Sequence, residues 1–449
     1  MAEVPIWRAG RAQTSLDIRS LTSYRGETVA RVHQAPALLI HRAVVELRKT
    51  AAAPGEDPAP LWPLIARAGE LLADADIGGC SPDEHARLVT LATGAPYSDA
   101  RRALAELAAG LQGVAAALRW QAPHGDLQAV STHHVTHPDG KQYAWVPQGQ
   151  VLGFIAPSNH PAVHLTWVLA LAMGWSVLLR PGADDPLTPW RLAQALDAAG
   201  FPMARFALLS GGHDLVPAIV AACDRTVAYG GRTLDALIGQ DRRVLFNGPG
   251  HSKVLVDAPA VADPTATIDF LVDCIVHDGG RKCTCASALV VRGDAESLIS
   301  TLAERLNAIP LLDPLDPAAQ VPAWKDPQAA AQTPPGAVTA DGITFVKPGL
   351  ERCPSPDTAP FGAEVPAPWA TAVALPASVD VMPVLHGSLA VSLITADDRL
   401  KQACLFDPTI RKVYCGHVPP WYTEPGAPHQ GRLSEFLFTS KSHREVSPP

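Results

Sequence analysis

A cysteine that follows a pair of glycines has the clearest potential for chemistry in this sequence. Cys283 comes directly after Gly279-Gly280-Arg281-Lys282. Glycines allow a backbone to approach a ligand closely. We expect Arg281 and Lys282 to lower the pKa of the thiol, because the thiolate is the nucleophile. The alternative is a buried structural cysteine, which is the usual state of this residue type. Cys285, two residues further on, is the rival nucleophile, with a redox role beside Cys283 as a minor hypothesis.

Asn159 lies in the loop after the first predicted strand of the central region. Strand 151–156 is followed by Pro157-Ser158-Asn159, and a helix is predicted at 162–173. Ligands of α/β enzymes bind at the carboxyl ends of parallel strands, so we expect this loop to contact a ligand. The alternative is that Asn159 caps the following helix, and the residues alone favour that alternative.

Strands and helices alternate from residue 150 onward, which predicts a parallel sheet with helices on both faces. Helical periodicity covers 36–120, and 130–149 is typical of a hairpin. The other predicted strands are 176–179, 204–209, 226–229, 288–292, 370–375 and 390–395, with an edge strand at 431–438. The other predicted helices are 189–199, 214–222, 263–275 and 296–306. A second α/β unit therefore begins near residue 256.

The composition favours a soluble, cytoplasmic protein with a large core. The chain has 449 residues, 47% of them hydrophobic, and a net charge of −8 without a run of basic residues. Nucleic acid and membranes are therefore not expected partners. The eight cysteines form no CxxC pair, so we expect no metal site.

Five segments, in this order, resemble segments of aldehyde dehydrogenases. They are TSYRGETVARV, PQGQVLGFIAPSNHP, VLLRPGADDPLTPWRLAQALDAAGFP, GGRKCTCASALVV and FGAEVPAPW. The resemblance covers nearly the whole chain and implies an α/β fold like that family's. It implies a Rossmann-type NAD(P)-binding domain at 1–125 and 150–255, a catalytic domain at 256–420, and a β oligomerisation arm at 126–149 and 421–449. A homodimer or homotetramer is also implied.

The resemblance also assigns roles to individual residues. Cys283 would be the covalent nucleophile, and the Asn159 amide would stabilise the oxyanion together with the Cys283 N–H. Glu364 would hold the nicotinamide ribose, although a solvated loop glutamate is the simpler alternative. The expected cofactor-binding residues are Pro157, Ser158, Arg180, Pro181, Gly182, Gly230, Gly231, Arg232 and Glu364. The segment 230–232 follows a strand and opens a helix, where backbone N–H groups can bind a phosphate.

The sequence departs from the family's pattern at the general base. Asn247 falls where hydrolytic members have a glutamate, and asparagine cannot take a proton from water. The family's lysine in helix 162–173 is also absent and falls on Thr166 or Val168. These departures favour a thiol, such as coenzyme A, as the acyl acceptor or donor, and AYGG and RPGADDPL are reminiscent of fatty acyl reductases. The expected activity is interconversion of an aldehyde and an acyl thioester through a cysteine-bound acyl group.

The cofactor loop departs from the pattern too. Arg180 replaces a lysine, and Ala183 stands where NAD-preferring members have a ribose-binding glutamate. Loss of that carboxylate removes repulsion toward a 2′-phosphate, and Arg180 could pair with the phosphate. We therefore expect NADP(H) in preference to NAD(H).

Two other hypotheses remain open. The protein could oxidise an aldehyde to a carboxylate, with Glu364, His251 or His277 replacing the missing base. It could instead be a catalytically inactive scaffold, since a fold does not fix a function.

Overall fold

A computed structural model describes residues 2–53, 55–136, 139–238 and 241–442, apart from the Arg232 side chain. The helices are α1 (Ala37–Lys49), α2 (Trp62–Asp74), α3 (Pro82–Thr93), α4 (Tyr97–Gln112), α5 (Val114–Gln121), α6 (Leu127–Thr132), α7 (His164–Ala172), α8 (Leu187–Ala198), α9 (Leu215–Ala222), α10 (Arg232–Ile238), α11 (Pro264–Val276), α12 (Glu296–Asn307), α13 (Pro327–Gln332), α14 (Met382–Leu385), α15 (Asp398–Phe406) and α16 (Leu433–Leu437). The strands are β1 (Ala2–Val4), β2 (Ile6–Arg8), β3 (Arg11–Gln13), β4 (Ile18–Thr22), β5 (Thr28–His33), β6 (His134–Thr136), β7 (Gln142–Pro147), β8 (Val151–Ile155), β9 (Ser176–Arg180), β10 (Phe206–Leu208), β11 (Arg225–Tyr229), β12 (Val244–Asn247), β13 (Lys253–Asp257), β14 (Ala288–Arg292), β15 (Ala337–Ala340), β16 (Ile343–Val346), β17 (Gly349–Arg352), β18 (Trp369–Leu375), β19 (Ala390–Ile394), β20 (Lys412–Cys415) and β21 (Phe438–Ser442).

Two large sheets form the framework. The seven-stranded sheet has the order β12-β11-β8-β9-β10-β2-β3, and its strands from β12 to β10 are parallel. Every residue of β8 and β9 is buried, as expected for parallel strands with helices on both faces. The six-stranded sheet is parallel throughout, with the order β17-β18-β14-β13-β19-β20. The predicted α/β class and the second α/β unit are confirmed.

The two sheets present opposite ends to the predicted site. The loops after β8, β9, β11 and β12 leave the carboxyl ends of the seven-stranded sheet. Cys283 lies between α11 and β14, so it approaches the amino end of the six-stranded sheet. A hydrogen bond from Asn159 Nδ2 to the Arg281 carbonyl oxygen (3.1 Å) joins these two sets of loops. The predicted nucleophile therefore faces loops of both sheets.

Most elements predicted from residue 150 onward are confirmed within two residues at each end. Strand 288–292 matches β14, and α11 begins after Asp263, whose carboxylate accepts a hydrogen bond from the Ala266 N–H (3.1 Å). The prediction of a strand at 431–438 is wrong. Residues 433–437 form α16, in which Leu433 and Leu437 are both buried and Glu435 between them is exposed. In a strand all three side chains would lie on one face, whereas in a helix Glu435 points away from the two leucines.

The predicted hairpin at 130–149 pairs with the C-terminal strand. β6 and β7 are antiparallel, and β21 adds to the other edge of β7. The Phe438 ring stacks on Trp145 with ring centroids 4.0 Å apart. In the part of the chain that the structure describes, no helix is long and apolar enough to cross a bilayer.

Truncation of Phe438 tests how much this sheet contributes to stability. Phe438 is 3% exposed, and removal of a buried phenylalanine ring typically costs about 3–5 kcal/mol. We expect Phe438→Ala to lower the urea midpoint of unfolding correspondingly. Phe406→Ala is the matched control, since Phe406 is 80% exposed and should change stability by less than about 0.5 kcal/mol. Equal midpoints for the two variants would contradict this assignment.

Candidate active site

The backbone of Cys283 is held by the segment that follows β12. The Ser252 hydroxyl donates to the Cys283 carbonyl oxygen at 2.9 Å. Gly250 lies against the same carbonyl group, so closely that a Cβ atom there would be 1.9 Å from the oxygen. Any other residue at 250 would displace the nucleophile loop. The thiol itself is partly buried.

The thiol is protonated in this environment. Burial is the largest cause and raises the pKa of Cys283 to about 12, and the negative charge of Glu364 raises it further. The prediction that Arg281 and Lys282 lower this pKa holds only for the direction of the Lys282 effect, and the net shift is upward. Lys282 opposes the rise only weakly because it is paired with Asp278. Arg281 is directed away and donates to the Ser158 carbonyl oxygen at 3.1 Å.

Asp278 is the centre of a buried cluster that holds the nucleophile loop. Its carboxylate pairs with Arg102 and Lys282 and lies 3.2 Å from the Nε2 atoms of His160 and His277. Burial alone would raise the pKa of Asp278, but these partners hold it well below its ordinary value. We name this set of five residues the Asp278 cluster. It joins α4, the loop after β8 and the nucleophile loop.

Asn159 contacts the nucleophile loop and does not cap a helix. The cap is His160, whose Nδ1 accepts from the Ala162 N–H at 3.1 Å. The Asn159 amide donates one hydrogen bond to the Arg281 carbonyl oxygen, two residues before the thiol. An amide NH₂ has two hydrogens, so one remains for a ligand.

Glu364 is not a freely solvated loop glutamate. Its Oε2 accepts from the N–H groups of Gly250 (2.5 Å) and His251 (3.2 Å). Asn247 ends β12 and is buried, three residues before the Gly250 amide that Glu364 accepts from. The structure thus brings Cys283, Glu364 and the segment that begins at Asn247 together.

A cleft of about 240 Å³ lies beside the loop after β9. Arg180, Pro181, Gly182 and Ala183 line one side of it. The other lining residues are Arg19, Val32, Gln34, Pro186, Ser210, Gly211, Gly212 and His213. Among the described residues, the lining of this cleft includes two arginines and no carboxylate. It therefore suits an anionic ligand.

The predicted cofactor residues in the loop after β8 contact those in the loop after β9. A Cβ atom on Gly182 would lie 2.3 Å from the Ser158 hydroxyl and 2.5 Å from the Pro157 carbonyl oxygen. Ser158 Oγ also accepts from the Asp184 N–H at 3.0 Å. The absence of a side chain at 182 is what allows these two loops to meet.

The 230–232 segment is a less complete phosphate site than the sequence predicted. The Gly230 N–H donates to the Asn247 carbonyl oxygen at 3.2 Å, so this amide is used within the protein. The Arg232 side chain lies outside the described residues. A Cβ atom on Gly231 would have no described neighbour within 4 Å, which leaves room for a ligand at that position.

Two residues near the thiol were missed at the level of sequence. His429 Nε2 lies 3.9 Å from Cys283 Sγ, and Lys412 is buried at the start of β20 with its charge acting on the thiol. No motif marks them, because they follow Cys283 by more than a hundred residues. Of the two positions on which the family's lysine could fall, Thr166 contacts the Tyr229 hydroxyl at 3.5 Å and Val168 is fully buried.

Comparison with known proteins identifies the family. The profile of the aldehyde dehydrogenase family matches residues 7–334. The chain belongs to this family. A malonate-semialdehyde dehydrogenase of Halalkalibacterium halodurans is 28% identical over 254 residues, which cover 52% of this chain and 48% of that protein. A betaine aldehyde dehydrogenase of Cereibacter sphaeroides is 28% identical over 309 residues, which cover 66% of this chain and 60% of that protein. The chain thus spans about half to three fifths of these relatives.

Solved structures of the family share the fold over nearly the whole chain. The aldehyde dehydrogenase KauB from Pseudomonas aeruginosa has a TM-score of 0.79 at 22% identity, covering 98% of this chain and 96% of that one. The indole-3-acetaldehyde dehydrogenase AldA of P. syringae, solved in complex with NAD+ and IAA, has a TM-score of 0.81 at 21% identity, covering 99% and 96%. At this identity the likeness shows the fold alone.

Neutralising Asp278 tests its role in placing the nucleophile loop. Its side chain is 3% exposed, and removal of one partner of a buried ion pair typically costs about 3–5 kcal/mol. We expect Asp278→Asn to lose this much in urea unfolding at pH 7. Because the folded pKa is depressed, the contribution is present above about pH 4 and is lost as the pH falls further. The free energies of unfolding of the wild type and Asp278→Asn should therefore converge at low pH.

Asp398→Asn is the control for this experiment. Asp398 pairs with Lys401 on the surface, where its side chain is 88% exposed, and such pairs contribute little. A loss in Asp278→Asn no greater than in this control would contradict the proposed anchoring.

Proposed function

We propose that this protein is an NAD(P)-dependent oxidoreductase that interconverts an aldehyde and an acyl thioester through an acyl group on Cys283. The observation that carries the proposal is the arrangement around the thiol. The loop that carries Cys283 contacts Asn159 and Gly250, which both follow strands of the seven-stranded sheet. Asn247, at the start of the Gly250 segment, is buried and has no proton-accepting side chain. Transfer to a thiol does not need a base that activates water.

The chain's own residues have distinct tasks in this reaction. The Cys283 sulfur attacks the substrate carbonyl carbon, and the free N–H of Asn159 and the Cys283 N–H stabilise the resulting oxyanion. Loss of one such donor typically slows a reaction by ~10²–10³. An incoming thiol, coenzyme A or a carrier thiol, takes the acyl group when the aldehyde is oxidised. In the reverse direction the thioester donates the acyl group to Cys283.

The cleft beside β9 would take the adenosine-side phosphate of a dinucleotide, and the rest of the cofactor would extend toward Cys283. Arg180 and Arg19 would hold its adenosine-side phosphate, and Glu364 would bind the nicotinamide ribose in place of the Gly250 and His251 amides that it now accepts from. When bound, NAD(P) accepts or donates the hydride. Ala183 supplies no carboxylate to bind a ribose 2′-hydroxyl, which favours NADP(H).

The second candidate is a hydrolytic aldehyde dehydrogenase that forms a carboxylate. It is favoured by the names of the relatives, which are dehydrogenases of malonate semialdehyde and betaine aldehyde. In that case another group must activate water. Both candidates share Cys283 as nucleophile and differ in the acyl acceptor.

The fate of the acyl-enzyme separates the two candidates. Wild-type protein is acetylated with p-nitrophenyl acetate, and the acetyl group on Cys283 is followed by peptide mass spectrometry. We expect the acetyl group to persist in buffer and to transfer when coenzyme A or 2-mercaptoethanol is added. Rapid loss in buffer alone would favour the hydrolytic candidate, and absence of acetylation at Cys283 would refute both.

A carboxylate at position 247 should restore hydrolysis. A general base typically contributes 10²–10⁴-fold, so Asn247→Glu is expected to shorten the lifetime of the acetyl-enzyme in buffer by at least about 100-fold. Asn247→Gln is the matched control, since it has the same length and no basic oxygen. Equal lifetimes in the two variants would show that position 247 does not face the acyl group.

Ala183→Glu tests the cofactor preference. A carboxylate in this cleft repels a 2′-phosphate and can bind the two ribose hydroxyls of NAD, so the ratio of the Kd of NADP+ to that of NAD+ should rise by more than tenfold. Like charges brought together cost several kcal/mol. Ala183→Gln controls for size, and fluorescence titration measures both constants. An unchanged ratio would mean that the phosphate lies elsewhere.

A further inference from the structure

His429 is the only side chain of the described residues that hydrogen-bonds the Cys283 sulfur. Its Nε2 atom lies 3.9 Å from Sγ, within the longer range of bonds that involve sulfur. The ring comes from the loop between β20 and α16. Neither of the two large sheets carries it, so this contact is a separate contribution of the C-terminal segment to the site.

Lys412 adds a positive charge beside this pair. It is 8% exposed, and its ammonium group forms no ion pair with any residue in the described ranges. Its field favours the thiolate of Cys283 and disfavours protonated His429. A buried cation without a carboxylate partner is costly unless a nearby group becomes negative. The sulfur is the group that does so in the proposed reaction.

His429 and Cys283 are both uncharged before a substrate binds. Burial, aided by Lys412, lowers the pKa of His429 to about 3, and burial raises that of Cys283 to about 12. At neutral pH the imidazole therefore has a free lone pair and the sulfur retains its proton. The titratable or charged groups that face the thiol are Glu364, Lys412, Lys282, Tyr229, Cys285 and His429.

The other candidate bases have different partners. Glu364 accepts from two backbone amides. His251 Nδ1 lies 3.0 Å from the Gly362 carbonyl oxygen. The ring of His277 belongs to the Asp278 cluster and stacks on Trp421 with centroids 3.7 Å apart. None of these three hydrogen-bonds the sulfur within the described part of the chain.

We propose that His429 is a catalytic residue, the base that takes the Cys283 proton when the sulfur attacks the substrate carbonyl. This inference rests on the proposed function, in which Cys283 is the nucleophile. As the S–C bond forms, the S–H proton moves to His429 Nε2 and the carbonyl π electrons move to oxygen. With a thioester substrate the oxyanion then collapses, the C–S bond to the leaving thiol breaks, and protonated His429 returns its proton to that thiolate. No net proton is gained or lost.

Such a shuttle suits exchange between thiols. The proton taken from one sulfur is the proton given to the other, so a single imidazole serves both halves of the exchange. The low basicity of the His429 imidazole is an advantage when the leaving thiol departs, because the protonated ring releases its proton readily to a thiolate. Water as acceptor would need a stronger base.

The pH dependence of acetylation tests the proposal without any cofactor. Wild-type protein and His429→Gln are mixed with p-nitrophenyl acetate from pH 5 to 8, quenched with acid, and analysed for acetyl-Cys283 by peptide mass spectrometry. The wild-type rate should be nearly independent of pH, because the thiol stays protonated and the imidazole stays neutral. His429→Gln should rise about tenfold per pH unit, with hydroxide as the base. At pH 6 it should be at least about 100-fold slower than wild type.

Two further variants separate chemistry from structure. His417→Gln changes a histidine of the same C-terminal region that contacts Thr267, and it should behave as wild type. His429→Gly with added imidazole should regain the pH-independent rate if the lost group is a base. If folding is damaged in His429→Gln, as judged by its thermal midpoint, this rescue still decides the question.

The possible outcomes distinguish the two proposals. If wild type is not acetylated at Cys283, the proposed function fails. If wild type is acetylated and His429→Gln shows the same rate and pH profile, only the role of His429 is overturned. Failure of imidazole to restore a slow His429→Gly variant would equally overturn it.

Discussion

The carboxylate of Asp278 is enclosed by two cations and two imidazoles that come from separate parts of the chain. Arg102 belongs to α4, His160 to the loop after β8, and Lys282 to the nucleophile loop itself. A buried ion pair adds little net stability compared with apolar residues. Its contribution here is to placement, because a displaced partner would leave an uncompensated charge in the interior. The position of Cys283 relative to Asn159 depends on this cluster.

The environment of the Cys283 thiol depends on where the neighbouring positive charges are directed. Arg281 and Lys282 are adjacent to Cys283 in sequence, yet their charges serve the Ser158 loop and Asp278. The thiol is left in a buried site, where the charge of Glu364 also disfavours the thiolate, and it stays protonated. An enzyme of this kind must remove the proton during attack and not beforehand. A thiol that stays protonated until substrate arrives is also less open to oxidation, since oxidants react with the thiolate.

The sequence allowed the sheets to be predicted better than the site. Apolar runs bounded by glycine and proline located β8, β9 and β14, because buried parallel strands carry a strong local pattern. Residue 247 and the 157–159 loop could be identified through family motifs. His429 could not, since its contact with Cys283 joins positions 146 residues apart and follows from tertiary packing. The direction of the Cys283 pKa was predicted wrongly for a similar reason: sequence neighbours do not reveal where a charge points.

The place of His429 in the chain has a consequence for biosynthesis. Ribosomes add about 5–20 residues per second, so roughly 7–30 s separate synthesis of Cys283 from that of the residue that contacts its sulfur 146 positions later. During this interval the seven-stranded sheet can already form, because all of its strands precede Cys283 in the chain. The nascent protein can therefore hold a folded sheet while its reaction centre is incomplete. If His429 is the base, as proposed, reactivity arises only when the C-terminal segment docks.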